Sequence, residues 1–182
     1  NQYALGAAGA SIVTGNVKFT VTASNGNVNG LGSHSNVNMT TKDVILDLTY
    51  HYPTGNSSNG GSIYGVLAGS TVDSGELATY NGKYTTITTN ALNITQTATG
   101  GTINAILNNG IRAIQGANQD SGKGSAGQVI VNGILDMKLT GNRSIGIYVS
   151  GNSTNTGVAT AAGTNGSLTP KVILNNNATI IL

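Results

Sequence analysis

Short segments in which apolar and polar residues alternate recur along the whole chain. Alternation with a period of two is typical of a strand with one buried face. Five segments of this kind occupy residues 18–22, 44–49, 91–95, 136–140 and 178–182. Their apolar anchors are separated by 46, 45 and 42 positions and are Leu48, Ile94, Leu139 and Ile181. The pattern predicts an all-β chain built from one repeated unit.

A glycine-containing phrase forms the other half of this unit. Its copies occupy residues 62–69, 109–116 and 144–151, and a shorter copy occupies residues 29–32. The glycines Gly65, Gly110 and Gly146 lie 45 and 36 positions apart. A loose spacing between well-formed strands is typical of a solenoid whose coils carry insertions of different length.

The expected fold is a right-handed parallel β-helix (β-solenoid) with loop or hairpin insertions. Val66, Ile111 and Ile147 should stack in one internal ladder, because they follow the glycine in successive copies. A unit of roughly 35 to 45 residues suggests two coils, or one coil with a hairpin, and so about six to eight coils in the chain. The predicted insertions occupy residues 50–61, 72–85 and 152–171.

We expect residues 1–182 to form a single β-helical segment. The last residues, 180–182, still resemble a strand, and an apolar rung at the end of a solenoid would expose an edge that favours aggregation. We therefore expect the segment to be a fragment of a longer array.

Composition agrees with an all-β solenoid. Only 8% of the residues are charged, compared with roughly a quarter in ordinary domains. Asn, Thr, Ser and Gly must therefore cover the surface, and these residues disfavour helices. Asn–Gly pairs, each predicting a tight turn, begin at Asn25, Asn29, Asn59, Asn81, Asn109, Asn132 and Asn165.

Several classes of function are disfavoured by composition. The chain has no Cys, so it lacks disulfides and thiolate-bound zinc, and no spacing of His or acidic residues predicts another metal or a cofactor. A formal net charge of +2 from scattered basic residues does not favour nucleic-acid binding. No apolar run approaches the roughly 20 residues of a membrane-spanning helix.

One family resemblance emerges from the strand-and-turn phrases. Residues 129–141 running into 146–149, and again residues 172–180, resemble passenger domains of type V (classical) autotransporters of Gram-negative bacteria. The resemblance implies a β-helix that is secreted to the bacterial cell surface through an outer-membrane barrel, a part this chain lacks. Many such passengers are adhesins, which implies a role in virulence and cell adhesion.

Enzymes also occur on parallel β-helices, and glycoside hydrolysis uses two carboxylates about 5 to 10 Å apart. Two pairs of acids are candidates: Asp73 with Glu76 in an insertion, and Asp43 with Asp47 along a strand. Isolated acids that are solvated or cap turns are the favoured interpretation. We therefore do not expect an enzyme, although a polysaccharide hydrolase or lyase stays a minor alternative.

The candidate ligand contacts are mostly aromatic, since Tyr combines a large apolar ring with a polar end. They are Tyr50, His51, Tyr52, Tyr80 and Tyr84. The first three form a cluster that could stack on a sugar ring or pack a loop against the coil. His34 is expected to be exposed in a turn.

Residues 84–89 carry Thr at alternating positions, as ice-binding solenoids do, but only one such row is visible in the sequence. The favoured function is an adhesin segment that attaches to a host-surface glycan or protein receptor, or to identical passengers on neighbouring cells. A structural spacer in a passenger stalk is the alternative.

Overall fold

The computed structural model describes residues 2–8, 11–24, 27–34, 37–52, 61–69, 84–100, 107–114, 126–150 and 170–182. In this part of the chain every regular element is a strand. The strands are β1 (Gln2–Ala8), β2 (Ile12–Val13), β3 (Val17–Ala23), β4 (Val28–His34), β5 (Asn38–Thr40), β6 (Val44–Tyr52), β7 (Ser62–Ala68), β8 (Tyr84–Thr89), β9 (Leu92–Gly100), β10 (Leu107–Ile114), β11 (Ala126–Val131), β12 (Leu135–Thr140), β13 (Ser144–Ser150), β14 (Lys171–Leu174) and β15 (Ala178–Ile181).

The strands form three parallel sheets of five strands each. The first sheet has the order β1-β4-β7-β10-β13, the second β14-β11-β8-β5-β2, and the third β15-β12-β9-β6-β3. Every third strand joins the same sheet, so the chain passes through all three sheets before it returns to the first. This arrangement is a parallel β-helix, as the alternating pattern predicted, and each coil contains three strands.

The described residues contain five coils, and the prediction of six to eight is wrong. Strands of consecutive coils pair directly in every sheet, so no further coil lies between them. Each sequence repeat is a single coil with a long connection, such as the one that leads from β7 at Ala68 to β8 at Tyr84.

The interior of the coil is filled by columns of apolar side chains. In the first sheet Leu31, Val66 and Ile111 stand in register, and each has an exposed fraction of 0%. Ile147 pairs with Ile111 and continues the column, which confirms the predicted ladder. Burying each of these side chains contributes about 1.5–3 kcal/mol, so the stacked columns are the main source of stability.

A polar side chain interrupts one internal column of the third sheet. Gln96 stands in register between Leu48 and Leu139 and is fully buried. Its amide nitrogen donates a hydrogen bond of 3.2 Å to the backbone carbonyl of Asn109, whereas its Oε1 has no hydrogen-bond partner. This strand position therefore carries one satisfied and one unsatisfied polar atom.

The repeated phrase exists because its glycine occupies a crowded column of the first sheet. Gly30, Gly65 and Gly110 are each skipped in the pairing register, with paired residues on both sides. A Cβ on Gly65 would lie 2.5 Å from the carbonyl oxygen of Gly110 and 2.9 Å from the Ile94 side chain. Only a residue without a side chain fits between these neighbours.

The Asn–Gly pairs do not all form turns, which corrects the sequence interpretation. Asn29 and Asn109 lie inside strands β4 and β10, directly before the glycine of the crowded column. Asn132 lies in the turn between β11 and β12, as predicted. The pairs that begin at Asn25, Asn59, Asn81 and Asn165 lie outside the described residues.

Candidate functional site

A row of threonines crosses the outer surface of the third sheet. Thr22, Thr49, Thr97 and Thr140 stand in register on four successive coils. Each lies at an outward strand position, and all four side chains are partly or fully exposed. Since adjacent strands lie about 4.8 Å apart, the row spans roughly 14 Å. We call these four residues the threonine row.

The neighbouring outward column is mixed. It contains Thr20, Asp47, Thr95 and Lys138, again one residue from each coil. Thr-x-Thr pairs therefore occur on the first and third coils, whereas a charged residue replaces the first Thr on the second and fourth. The sheet thus presents a regular line of hydroxyl groups bordered by one negative and one positive charge.

Of the cluster at residues 50–52, only His51 is exposed. These residues belong to β6, so the insertion predicted at 50–61 begins later than expected. Tyr50 and Tyr52 point inward with exposed fractions of 1% and 5%. Burial raises the pKa of the Tyr50 hydroxyl, with a further contribution from Tyr52. Their rings pack in the core and are not accessible to a ligand in this structure.

His51 lies on the same outer face as the threonine row. Its Nδ1 is 2.7 Å from the hydroxyl oxygen of Thr99, the residue that pairs with it on the next coil. His51 and Thr99 form the column beside Thr49 and Thr97. The sequence-predicted contact residue His51 therefore extends the polar surface of the third sheet.

The two remaining tyrosine candidates are placed differently. Tyr84 begins β8 in the second sheet and is half-buried, with the ammonium group of Lys171 lying 4.8 Å from its ring centroid. Its ring is therefore already covered in part by a cation on the outside of the coil. Tyr80 lies outside the described residues.

The candidate carboxylate pair Asp43 and Asp47 is not assembled as a pair. Asp43 lies in the turn before β6, where its Oδ1 accepts hydrogen bonds from Asn90 Nδ2 at 2.6 Å and from the Ala91 N–H at 3.1 Å. These donors hold the pKa of Asp43 below its usual range. Asp47 lies four residues along the extended strand, about 13 Å away between Cα atoms.

The hydrogen bonds of Asp43 are those of an acid that stabilises a turn, which was the favoured interpretation of the sequence. Asp73 and Glu76, the other candidate pair, lie outside the described residues. His34 ends strand β4 and is not in the turn that the sequence suggested.

Side chains of the turns between the second and third sheets bond from coil to coil. Asn16 Oδ1 accepts the N–H of Asp43 at 3.3 Å, and Asn175 Nδ2 donates to Asn132 Oδ1 at 2.9 Å. Together with the bonds of Asp43, these contacts form a polar ladder along one corner of the coil. Such bonds satisfy turn groups that the sheets leave unpaired.

A stack of aromatic rings and one cation lies outside the first sheet, and sequence reasoning missed it. The guanidinium carbon of Arg112 lies 5.3 Å from the ring centroid of Tyr64 and 5.1 Å from that of Tyr148. Arg112 Nη1 donates a hydrogen bond of 2.8 Å to the Tyr64 hydroxyl. We call these three residues the Tyr–Arg–Tyr stack.

A signal for the stack is present in the repeated phrase. Arg112 and Tyr148 follow Ile111 and Ile147 in equivalent copies, so aligning the copies places them side by side. Tyr64 comes from the third coil and precedes the crowded glycine. The contact between it and Arg112 depends on the side chain leaning along the strand, which spacing alone does not reveal.

Within the ranges described above, no group of three or more His, Cys, Asp or Glu residues could hold a metal ion. The same residues include no helix of the length and apolar character required to cross a membrane.

Fold and surface together define a parallel β-helix with a threonine row on one sheet and an aromatic–cationic stack on another. Comparisons of the chain with protein-family models, with curated proteins and with solved structures give no match.

Proposed function

We propose that this chain is a segment of a bacterial cell-surface adhesin that attaches to host cells or to identical copies on neighbouring cells. The observation that carries the proposal is the threonine row, which repeats the same donor and acceptor group on four successive coils. The resemblance of residues 129–141 and 172–180 to autotransporter passengers supports the cell-surface location.

Repetition is what makes weak polar contacts effective. A single exposed Thr hydroxyl contributes little, since its bonds to a partner replace bonds to water. Several hydroxyls held at one spacing can engage a repetitive partner together, and the linked contacts strengthen one another without any further contact. A polysaccharide and a second copy of the same row are both repetitive partners.

Rigidity favours this use of the surface. The threonines lie on strands whose inward residues, such as Leu48 and Leu139, are almost fully buried. A surface fixed in this way loses little conformational entropy when a partner binds.

The function is tested by saturable binding of the fluorescently labelled chain to epithelial cells, with unlabelled chain as competitor. Binding that saturates and is displaced supports attachment to host cells. Sedimentation of the chain alone over a range of concentrations tests self-association. If neither binding nor self-association occurs, the adhesin proposal fails and the spacer role is favoured.

Ice binding is a second candidate that the register favours, because a ladder of Thr pairs on successive coils is the arrangement of ice-binding solenoids. The sequence showed such a row only in residues 84–89, whereas the structure places the longest row on the third sheet. Asp47 and Lys138 interrupt the pairs on two of the four coils, so we rank this function second. Thermal hysteresis of a concentrated solution tests it, and its absence would exclude it.

A further inference from the structure

The Tyr–Arg–Tyr stack has the composition of a binding site and lies on a different sheet from the threonine row. Tyr and Arg are the residues that most often dominate binding energy at interfaces. Tyr148 has an exposed fraction of 37%, and the adjacent Val149 one of 46%. Tyr148 pairs in register with Arg112 of the preceding coil, so the two side chains stand side by side on the outer face of the first sheet.

The Arg112 guanidinium makes few of the hydrogen bonds that it could donate. A guanidinium has five N–H donors, and in the described part of the chain only one of them makes a hydrogen bond, to the Tyr64 hydroxyl. The Nε atom is buried without a partner. The two rings stabilise the positive charge by cation–π contact, but they do not neutralise it.

No described carboxylate lies near this charge. The acids in the described ranges are Asp43, Asp47 and Asp136, which lie in the turn before β6 and on the outer face of the third sheet. Arg112 therefore presents a positive charge on the first sheet, where the described residues supply no counter-ion. An anionic partner complements this charge.

The geometry favours a carboxylate attached to a sugar ring. Arginine donors form a planar fork that matches the two oxygens of a carboxylate. An exposed aromatic ring beside that fork offers an apolar face of the size of a pyranose ring, with a hydroxyl at its end. The combination fits a hexuronic acid unit of an acidic polysaccharide.

We propose that the Tyr–Arg–Tyr stack binds a carboxylated sugar, with the Arg112 guanidinium pairing the carboxylate and the Tyr148 ring packing against the sugar. This second contact surface does not depend on the threonine row. It would allow the coil to recognise an acidic glycan on one face while another face makes neutral polar contacts.

Isothermal titration of the chain with hexagalacturonate tests the proposal, with the fully methyl-esterified oligomer and a heparin hexasaccharide as comparison probes. We expect hexagalacturonate to bind and its neutral ester to bind at least tenfold more weakly. Equal binding of the ester, or binding of heparin alone, would overturn the assignment to a carboxylate.

Variants locate the site. Arg112→Gln should weaken binding at least tenfold, and Arg112→Lys should weaken it less, because the charge remains while the fork is lost. Tyr148→Ala should also weaken binding, whereas Tyr148→Phe keeps the ring and should bind as the native chain does. Lys42→Gln removes one exposed positive charge from the turn before β6 and is the matched control.

Unfolding curves of each variant identify loss of affinity that comes from loss of structure, and the contrast between Tyr148→Ala and Tyr148→Phe keeps the test decisive if Arg112→Gln is unstable. Unchanged affinity in a folded Arg112→Gln variant would overturn the proposal. Hexagalacturonate binding without cell attachment or self-association would leave this inference standing and remove the adhesin function. Cell attachment without hexagalacturonate binding would do the opposite.

Discussion

At the scale of single residues, the crowded column of Gly30, Gly65 and Gly110 explains why the glycine-containing phrase repeats along the chain. Gly30 and Gly65 each face the carbonyl oxygen of the next glycine at 2.5 Å from where a Cβ would be. The opposing atom is backbone held in a sheet, so it cannot move aside as a flexible side chain would. The second, third and fourth coils therefore carry glycine where the next coil stacks, whereas the first coil has Ala4 at the register position opposite Gly30.

Gly65→Ala should lower the free energy of unfolding by about 1–3 kcal/mol, because the added methyl group overpacks the interior. Chemical denaturation monitored by circular dichroism measures the change. Gly15→Ala is the matched control, since a Cβ there meets nothing within 4 Å. Equal stability of the two variants would contradict the steric role of the column.

Asp43 gives a prediction about acid stability. Its pKa is lower in the fold because Ala91 and Asn90 donate hydrogen bonds to the charged form. The stabilisation it contributes is therefore present above the pKa of the unfolded chain and is lost as the pH falls through the folded value. Asp43→Asn should lower the melting temperature at pH 7, and the difference from the native chain should shrink below about pH 4.

Melting temperatures of both proteins between pH 2 and pH 7 provide the measurement. Asp47→Asn is a suitable control, since no hydrogen bond joins the Asp47 carboxylate to another group in the described part of the chain. A difference between native and Asp43→Asn proteins that stays constant over this range would show that the turn ladder does not depend on the carboxylate charge.

At the scale of the strand, β9 carries a polar residue in an apolar column. Gln96→Leu removes the unpaired Oε1, whose burial costs about 1–3 kcal/mol, and matches the neighbours Leu48 and Leu139. It also removes the bond to the Asn109 carbonyl, worth about 1 kcal/mol. We expect a net gain of about 1 kcal/mol in the free energy of unfolding, measured by urea denaturation. A loss of stability would show that the Asn109 bond is the larger effect.

Alternation along the strands made the fold predictable, because the period of two recurs from coil to coil and the glycine phrase is present in four of the five coils. It was less informative about where strands end. Tyr50 and Tyr52 continue the inward positions of β6, so extending the alternation by two inward positions would have placed them in the core. The threonine row was also visible in principle, since Thr22, Thr49 and Thr140 end equivalent segments.

The Tyr–Arg–Tyr stack could not be predicted in full from the repeated sequence pattern. Aligning the repeated phrases pairs Arg112 with Tyr148, but Tyr64 pairs with Asn109, so its contact with Arg112 does not follow from the register. That contact depends on the conformation of the side chains, which the spacing of the repeated phrase does not give.

At the scale of the whole molecule, stacking of coils separates stability from recognition. Inward columns and the glycine column maintain the coil, whereas the outward columns are free to differ from sheet to sheet. The third sheet is lined by hydroxyl groups, and the first carries an aromatic–cationic stack. A solenoid can therefore present different chemical surfaces around one rigid body.

The most direct test of the proposed contact surface compares cell attachment of two double variants. Thr49→Lys with Thr97→Lys alters the threonine row, and Thr40→Lys with Thr88→Lys makes the same change at a paired position of the second sheet. Both pairs join the same two coils and add the same charge. We expect the first variant to lose at least tenfold in affinity and the second to bind as the native chain does. Equal binding by both folded variants would contradict the threonine row as the contact surface.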